Sequence, residues 1–312
     1  MKHSIIILLL LLSVLFGCKA PAEKKEEAKP LILTSIYPYE LLIKQLVGDA
    51  IEVRSLIPPN ASVHSFSPQP SHLKDIHKAD LILINGMGLE AMFEQHLQTM
   101  TDKLIVCSDM LNDLIALDSL NLVREQQMQH HHHDHEAEED HHHHAGADPH
   151  LWTSPQMMIK LATKLKTELA TRFPDYAPLV NHNYEALFKE LSEAHTKITN
   201  ERRKLSHPAL VTYHNSFHYF TRDYDIHYLG WVQSSPGKEP SARELANLGK
   251  KIREHNVRRI FIEPQQNPKS AEVLAKEYSL ELGTLDPIGS TLNAKTITEL
   301  ILKNWDEMRT AF

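Results

Sequence analysis

Leu31-Ile32-Leu33-Thr34-Ser35-Ile36, followed at once by Tyr37-Pro38, is the stretch on which the fold turns. A short, apolar, β-branched run stopped by a proline reads as a buried strand. A helical pattern follows through Leu41, Leu42, Gln45 and Leu46, and Ile51-Glu52-Val53-Arg54-Ser55-Leu56 then alternates like a second strand. The same succession continues: helix over 73–78, strand over 80–84, helix over 90–100, strand around Ile105. Strands alternating with helices in this way mean βαβ units around a parallel sheet.

Further along, Ser154-Pro155 supplies a cap and a first-turn proline for a helix running to about Arg172. A longer pattern puts Tyr176, Val180, Tyr184, Leu187, Leu191, Ala194, Ile198 and Leu205 on one face, so 175–205 reads as one helix of ~45 Å. That is long enough for a rigid strut. Beyond it the alternation resumes: strand 209–213, helix 217–224, strand 226–229, a helix over 242–255 with Ser241 as cap and Glu244 as the box acid, strand 259–262, helix 270–278, strand 280–285 and a last helix over 291–309. The expected fold is α/β, with two lobes, each a mostly parallel sheet flanked by helices. The boundaries are a first lobe over 31–172, a linking helix over 173–206 and a second lobe over 207–312.

The front of the chain belongs to export. Residues 1–17 read as a signal peptide, with Lys2 before an apolar run from Ile5 to Phe16 that is too short for a permanent span of ~20 residues. Leu15-Phe16-Gly17-Cys18 looks like a lipobox with an unusually bulky Phe16, which implies lipid attachment to the Cys18 thiol and a membrane anchor. Lys/Glu/Ala/Pro-rich 18–30 is a flexible tether. The net charge is −7, and removing 1–17 takes away only Lys2; an acidic chain of this kind argues against nucleic acid. Cys107 is then the one remaining cysteine, so no disulfide framework is available, and its apolar run makes it a small buried hydrophobe.

Nine of the 22 histidines fall within residues 130–144: His130, His131, His132, His133, His135, His141, His142, His143 and His144, interleaved with carboxylates. Such a segment has nothing to bury, and imidazole is the commonest protein ligand for zinc, so it reads as a metal-collecting loop, a weak secondary site. Immediately beyond it, His150 is pinned between Asp148-Pro149 and Trp152.

In open α/β sheets ligands bind outside the carboxyl ends of strands. The residues reached there are His64, Asn85, His150 after the loop, His214, Glu263 and Asp286. Three imidazoles and one carboxylate suffice for a tetrahedral zinc site.

Pro58-Pro59-Asn60-Ala61-Ser62-Val63-His64-Ser65-Phe66-Ser67-Pro68, Asn85-Gly86-Met87-Gly88-Leu89-Glu90, Asp148-Pro149-His150-Leu151-Trp152, Tyr213-His214-Asn215-Ser216-Phe217-His218, Ile262-Glu263-Pro264-Gln265 and Leu285-Asp286-Pro287-Ile288-Gly289 resemble, in order, the signatures of the metal-binding lipoproteins of ABC importers, within them the zinc-specific ZnuA-like branch. The resemblance covers the chain from Leu31 onward. It implies two α/β lobes joined by one long rigid helix, a metal site in the interlobe cleft, and His64, His150, His214 and Asp286 as ligands. It further implies Zn2+ as the transported cargo, an ABC permease as partner, a monomer, no enzymatic activity, and an extracytoplasmic location in the periplasm or at the cell surface. Histidine at position 214 resembles the zinc members, where manganese members tend to carry glutamate, and nitrogen donors favour zinc. Glu263 is expected behind a ligand rather than on the ion. Some zinc members carry a second-lobe disulfide that this chain lacks. Affinity is expected to fall below pH ~6.5, where free histidine protonates.

Other readings remain open. They are a manganese or iron carrier of the same family, a zinc hydrolase with a water at the fourth position, and a surface adhesin or metal buffer without a transporter. Gly86-Met87-Gly88-Leu89-Glu90-Ala91 matches a dinucleotide fingerprint with Asp109 at ribose distance, but export removes it from that cofactor pool. His135-Glu136 lacks the second histidine of the zinc-protease motif. His218 lies one helical turn beyond His214, and His72, His77, His96, His182, His195, His207, His227 and His255 are expected on helices or their edges without converging.

Overall fold

The computed structural model describes residues 29–116, 148–233 and 239–312. The signal segment, Cys18 and the histidine run lie outside them. In the first lobe β1 (Leu31–Thr34), β2 (Glu52–Ser55), β3 (Leu81–Ile84) and β4 (Leu104–Val106) form one parallel sheet in the order β2-β1-β3-β4. Every residue of β1 and β3 is buried, which is why both read as unbroken apolar runs: helices cover both faces of a parallel sheet. The strand order reverses between β1 and β3, so their carboxyl ends open the crevice expected to hold a ligand.

Helix α1 (Tyr37–Val47) buries Tyr39, Leu42, Ile43 and Leu46 against that sheet. α2 (Pro70–Lys78) starts on a capping box in which Gln69 N donates to His72 Nδ1 at 2.8 Å. The expected helix over 90–100 is only a 3-10 turn (Ala91–Phe93) and α3 (Glu94–Leu97). α4 (Cys107–Met110) directly follows β4, and Cys107 is buried as expected.

α5 (Pro155–Arg172) begins at Ser154, whose Oγ accepts from Met157 N at 3.4 Å. The linking helix, α6 (Ala177–Arg202), is shorter than its apolar pattern, at about 39 Å for 26 residues. At one end Pro174–Tyr176 forms a 3-10 turn and Pro178 sits in the first helical turn. At the other, Arg202 bends to the Tyr224 carbonyl. α6 is not a bare strut: it packs antiparallel against α5 and also touches α1. Val180, Tyr184, Leu187, Leu191, Ala194 and Ile198 are its buried stripe, as the periodicity requires.

The second lobe contains β5 (Ala209–Thr212), α7 (His218–Asp223), β6 (His227–Trp231), α8 (Ala242–Glu254), β7 (Arg259–Ile262), α9 (Lys269–Tyr278), β8 (Glu281–Thr284) and α10 (Ile297–Met308). Its strands form two parallel ladders, β5-β6 and β7-β8, with β5 beside β7. Ser241 and Glu244 form the expected capping box. α10 starts six residues later than its pattern, at the Thr296 cap, because the chain from Gly289 to Thr291 is folded around Asp286 instead.

One apolar core runs through the first-lobe sheet, α5 and α6 and on into the second lobe at Phe220, Phe261, Leu285 and Trp305. A smaller cluster around Tyr213, Val211 and Ile260 belongs to the second lobe alone. Polar ties cross between lobes as well. Trp152 Nε1 donates to Pro287 O at 2.9 Å, Tyr37 OH to Ala294 O at 3.2 Å, and Ile297 N to Gln45 Oε1 at 2.9 Å.

Candidate metal centre

Three of the four expected ligands converge where the lobes meet. His64 lies on the loop after β2, whose start continues the sheet through Leu56 N to Thr34 O at 2.8 Å and Ile57 N to Ser35 O at 3.0 Å. The loop ends on Phe66, packed against the rings of His72 and Phe93. His150 opens the 3-10 turn Leu151–Thr153, and its carbonyl accepts from Thr153 Oγ1 at 2.9 Å. His214 stands two residues past β5, and its carbonyl accepts from Thr212 Oγ1, Ser216 N and Tyr228 OH at 2.7, 2.9 and 3.1 Å.

Their ring centroids lie 5.0–5.5 Å apart, and one nitrogen from each falls within 4.8 Å of the others. His150 Nε2 and His214 Nε2 are 3.2 Å apart. Two nitrogens on a tetrahedral zinc, at ~2.0–2.1 Å each, stand about 3.3 Å apart. Among the described residues no other group of three or more metal-binding side chains converges this way.

Each of the two buried rings has a carboxylate behind it. Asp148 Oδ1 lies 2.9 Å from His150 Nδ1 and also accepts from His150 N at 2.8 Å. Glu263 Oε1 lies 2.6 Å from His214 Nδ1 and accepts from Ser216 Oγ at 3.0 Å. The Glu263 oxygen lies close to His214 Nδ1 but out of line for a hydrogen bond, so it acts there by charge. A carboxylate on that side of each ring favours the hydrogen on Nδ1 and an open lone pair on Nε2. With the hydrogens on Nδ1, the two Nε2 atoms 3.2 Å apart would both be acceptors, an arrangement that a shared proton or a metal ion satisfies. Burial by itself would push the His214 pKa down, but Glu263 outweighs it and the pKa lies above the ordinary histidine value. Burial would likewise raise Asp148; its contacts with His150 and the nearby His218 lower it, so it is a full anion. His218 opens α7 rather than sharing a helix with His214.

Glu263 is thus found behind His214. Asp286 is placed differently. It is fully buried, and its Oδ1 accepts from Gly289 N at 2.8 Å and Gln265 Nε2 at 3.0 Å. Its Oδ2 accepts from Thr291 N, Thr291 Oγ1 and Ser290 Oγ at 2.7, 2.9 and 3.0 Å. Five donors fill the carboxylate's capacity, and Asp286 does not join the histidine trio within 4.8 Å. The histidine run and Cys18 fall outside the described residues. Of the remaining histidines, His195 Nδ1 meets Tyr224 OH at 2.9 Å, and the rings of His227 and His255 meet at 4.9 Å, away from the trio.

Sequence reasoning missed Asp148 and Gln265. Asp148 was visible as an acid two residues before a candidate ligand, and its Oδ2 also accepts from Asn215 Nδ2 at 3.0 Å, joining the two buried histidines' segments. The glycine-turn decoy is also settled by a side chain. Glu90 accepts from Asn85 N at 2.8 Å and Gly86 N at 3.0 Å, occupying the amides a phosphate would need. Trp152, fully buried, packs its ring 5.2 Å from His150.

The family model described as the periplasmic zinc-uptake complex component A, ZnuA, matches residues 32–311. The chain is 31% identical over 263 residues to the high-affinity zinc uptake system protein ZnuA of Haemophilus ducreyi, covering 83% of this chain and 85% of that one. It is 26% identical over 290 residues to the zinc-binding protein AdcA of Streptococcus pyogenes, covering 92% of this chain. It spans only 56% of AdcA, so about half the length of that relative. Among solved structures, a zinc-bound ZnuA deletion mutant superposes with a TM-score of 0.73 at 25% identity, over 91% of this chain and 98% of that one. The periplasmic zinc-binding protein TroA of Treponema pallidum shares the fold with a TM-score of 0.74 at 20% identity, over 91% of this chain and 99% of that one.

Proposed function

The chain belongs to the ZnuA family of periplasmic zinc-uptake components, and from that membership we propose that it captures Zn2+ outside the cytoplasm and delivers it to an ABC permease. The observation that carries this reading is the pair of Nε2 atoms 3.2 Å apart, each ring with a carboxylate oxygen close to its Nδ1 on the far side. His64, His150 and His214 are the primary ligands. Three nitrogens suit zinc better than manganese. Asp286 is the fourth ligand, and it reaches the ion only by giving up some of its five hydrogen bonds. Glu263 and Asp148 orient the rings.

Residues 130–144 form a weak second site that raises zinc concentration near the cleft, and Cys18 carries the lipid that keeps the 18–30 tether at the membrane. The domain division is a first lobe, a linking helix and a second lobe, with 1–17 removed. The family is one of solute-binding proteins. Hydrolysis of model esters by the zinc-loaded chain would replace this reading with the hydrolase one.

The test is zinc stoichiometry of the chain with residues 130–144 deleted, alongside His214→Ala in that background. One tightly held zinc per chain, lost in His214→Ala, is the expected result. A deletion variant that retains no zinc makes the histidine run the principal binder and removes the ligand assignment.

A further inference from the structure

His150 and His214 are both governed by one short stretch of the second lobe. His214 opens that stretch, and the residues just past it, through α7, hold the segment that carries His150. Asn215 Nδ2 donates to Asp148 Oδ2 at 3.0 Å, and Tyr219 OH donates to the Asp148 carbonyl at 2.8 Å. At the end of α7, Asp223 Oδ2 accepts from Ser154 Oγ. The 148–154 segment is thus gripped at both ends, with His150 between. By chain order His150 belongs to the first lobe, yet each of these polar ties reaches the second. So does the bond from Trp152 Nε1 to Pro287 O at 2.9 Å.

The grip is stiff. Tyr219 is fully buried, and the Arg222 guanidinium lies over its ring at 4.9 Å. Arg222 Nη2 donates to Asp223 Oδ1 at 2.7 Å, which leaves Oδ2 for Ser154. Asp148, held by Tyr219 and Asn215, is the same residue whose Oδ1 takes His150 N and faces His150 Nδ1. A shift of Asp148 against α7 is therefore a shift of His150 against His214.

We infer that this stretch fixes the spacing of the His150–His214 pair, with Tyr219 as its positioning residue, so that the site selects among divalent ions by size. The inference rests on the reading of the histidine trio as zinc ligands and deepens it by naming what sets the metal preference. The two Nε2 atoms stand 3.2 Å apart, close to the separation of about 3.3 Å that zinc needs. Cd2+, which also accepts imidazole but is larger, needs longer bonds and a wider pair. Widening the pair moves His150 away from His214 and loads the Tyr219, Asn215 and Asp223 ties together. A pair held at one spacing favours the ion that fits it, since geometry rather than raw affinity separates such metals.

The experiment titrates the full chain with Zn2+ and with Cd2+ against a chromophoric chelator and reads the tightest class of site, the one that His214→Ala removes. Tyr219→Phe keeps the buried ring and deletes the hydroxyl. It should weaken Zn2+ binding about fivefold, the weight of one hydrogen bond, and Cd2+ binding by less than about twofold, because relief of strain offsets the loss. Asn215→Ala loosens the same Asp148 through its side chain and should shift the Zn2+/Cd2+ preference in the same direction. Tyr184→Phe is the reference for a merely structural loss. It deletes a hydroxyl contact with Thr163 Oγ1 at 2.9 Å between α5 and α6, and should lower the melting temperature with the preference unchanged.

A Zn2+/Cd2+ preference that holds in both Tyr219→Phe and Asn215→Ala, whether or not affinity falls, overturns the inference. So does an equal change of preference in Tyr184→Phe. If neither His150→Ala nor His214→Ala weakens Zn2+ binding, the ligand reading itself fails and takes this inference with it. Zinc that needs both histidines, with a preference indifferent to Tyr219 and Asn215, sinks this inference alone.

Discussion

Replacing Asp148 by asparagine removes one charge from behind His150 while leaving room for every hydrogen bond to be remade. Asp148 Oδ1 serves both His150 N and His150 Nδ1, and an asparagine oxygen can take that place. The new NH2 group would then face Asn215 Nδ2, now 3.0 Å from Oδ2. That clash is relieved if Asn215 turns its amide over, since Asn215 Oδ1 is buried without a hydrogen-bond partner. What is lost is the charge assistance to the His150 ring, about 1–1.5 kcal/mol, because charged hydrogen bonds are roughly twice as strong as neutral ones. Zinc affinity should therefore fall about tenfold in Asp148→Asn. Asp148→Ala, which removes the orienting contact altogether, should fall toward the ~100-fold end of the range for groups supporting a metal ligand. Chelator-competition titration of each variant with residues 130–144 deleted measures both. Equal losses in the two variants would refute the separation of charge from orientation. Affinities within twofold of the parent would refute any role for Asp148 at the site.

Gly86→Ala should destabilise the fold by about 2–4 kcal/mol in urea unfolding, combining a left-handed penalty with overpacking: its φ is +85° and an added Cβ would lie 2.3 Å from Ser108 Oγ. The raised His214 pKa means that a proton competes with zinc above the free-histidine value, so affinity should begin to fall at a higher pH than the ~6.5 expected from free histidine. Titrations from pH 8 down to 5 check the onset, and Glu263→Gln should move it lower. Asp286→Asn replaces one acceptor oxygen with a donor that faces the amides and hydroxyls now bonded to the carboxylate. It should lower the melting temperature as well as zinc affinity, and an effect on affinity alone would show that the hydrogen-bonded cage matters little.

The parts of this molecule legible in the sequence are those decided by local patterns. β1 and β3 announce themselves because burial on both faces allows only apolar residues. The starts of α5 and α8 follow from Ser154 and Ser241, whose side chains satisfy backbone donors a few residues on. The three histidines were found by noting what lies beyond each strand. The parts that stayed hidden depend on side-chain contacts that no periodicity encodes. Residue type alone does not reveal that the turn over Gly289, Ser290 and Thr291 folds four donors back onto the Asp286 carboxylate, or that Gln265, 21 positions away, adds a fifth. The late start of α10 has the same origin, since residues with helical periodicity are spent instead on the turn around Asp286. Nor does the apolar pattern of α6 reveal that its neighbours knit both lobes into one core.

That shared core decides how the protein could be turned into a zinc reporter. A pair of fluorescent dyes, one on each lobe, reads a change in distance, and a body whose lobes share Trp152, Phe261, Leu285 and Trp305 offers almost none. The useful signal is local. Trp152, with its ring 5.2 Å from His150 and no solvent around it, is a built-in optical probe of the ion. An environment-sensitive label at exposed Ser65, beside His64, would report exchange that a dye pair would miss.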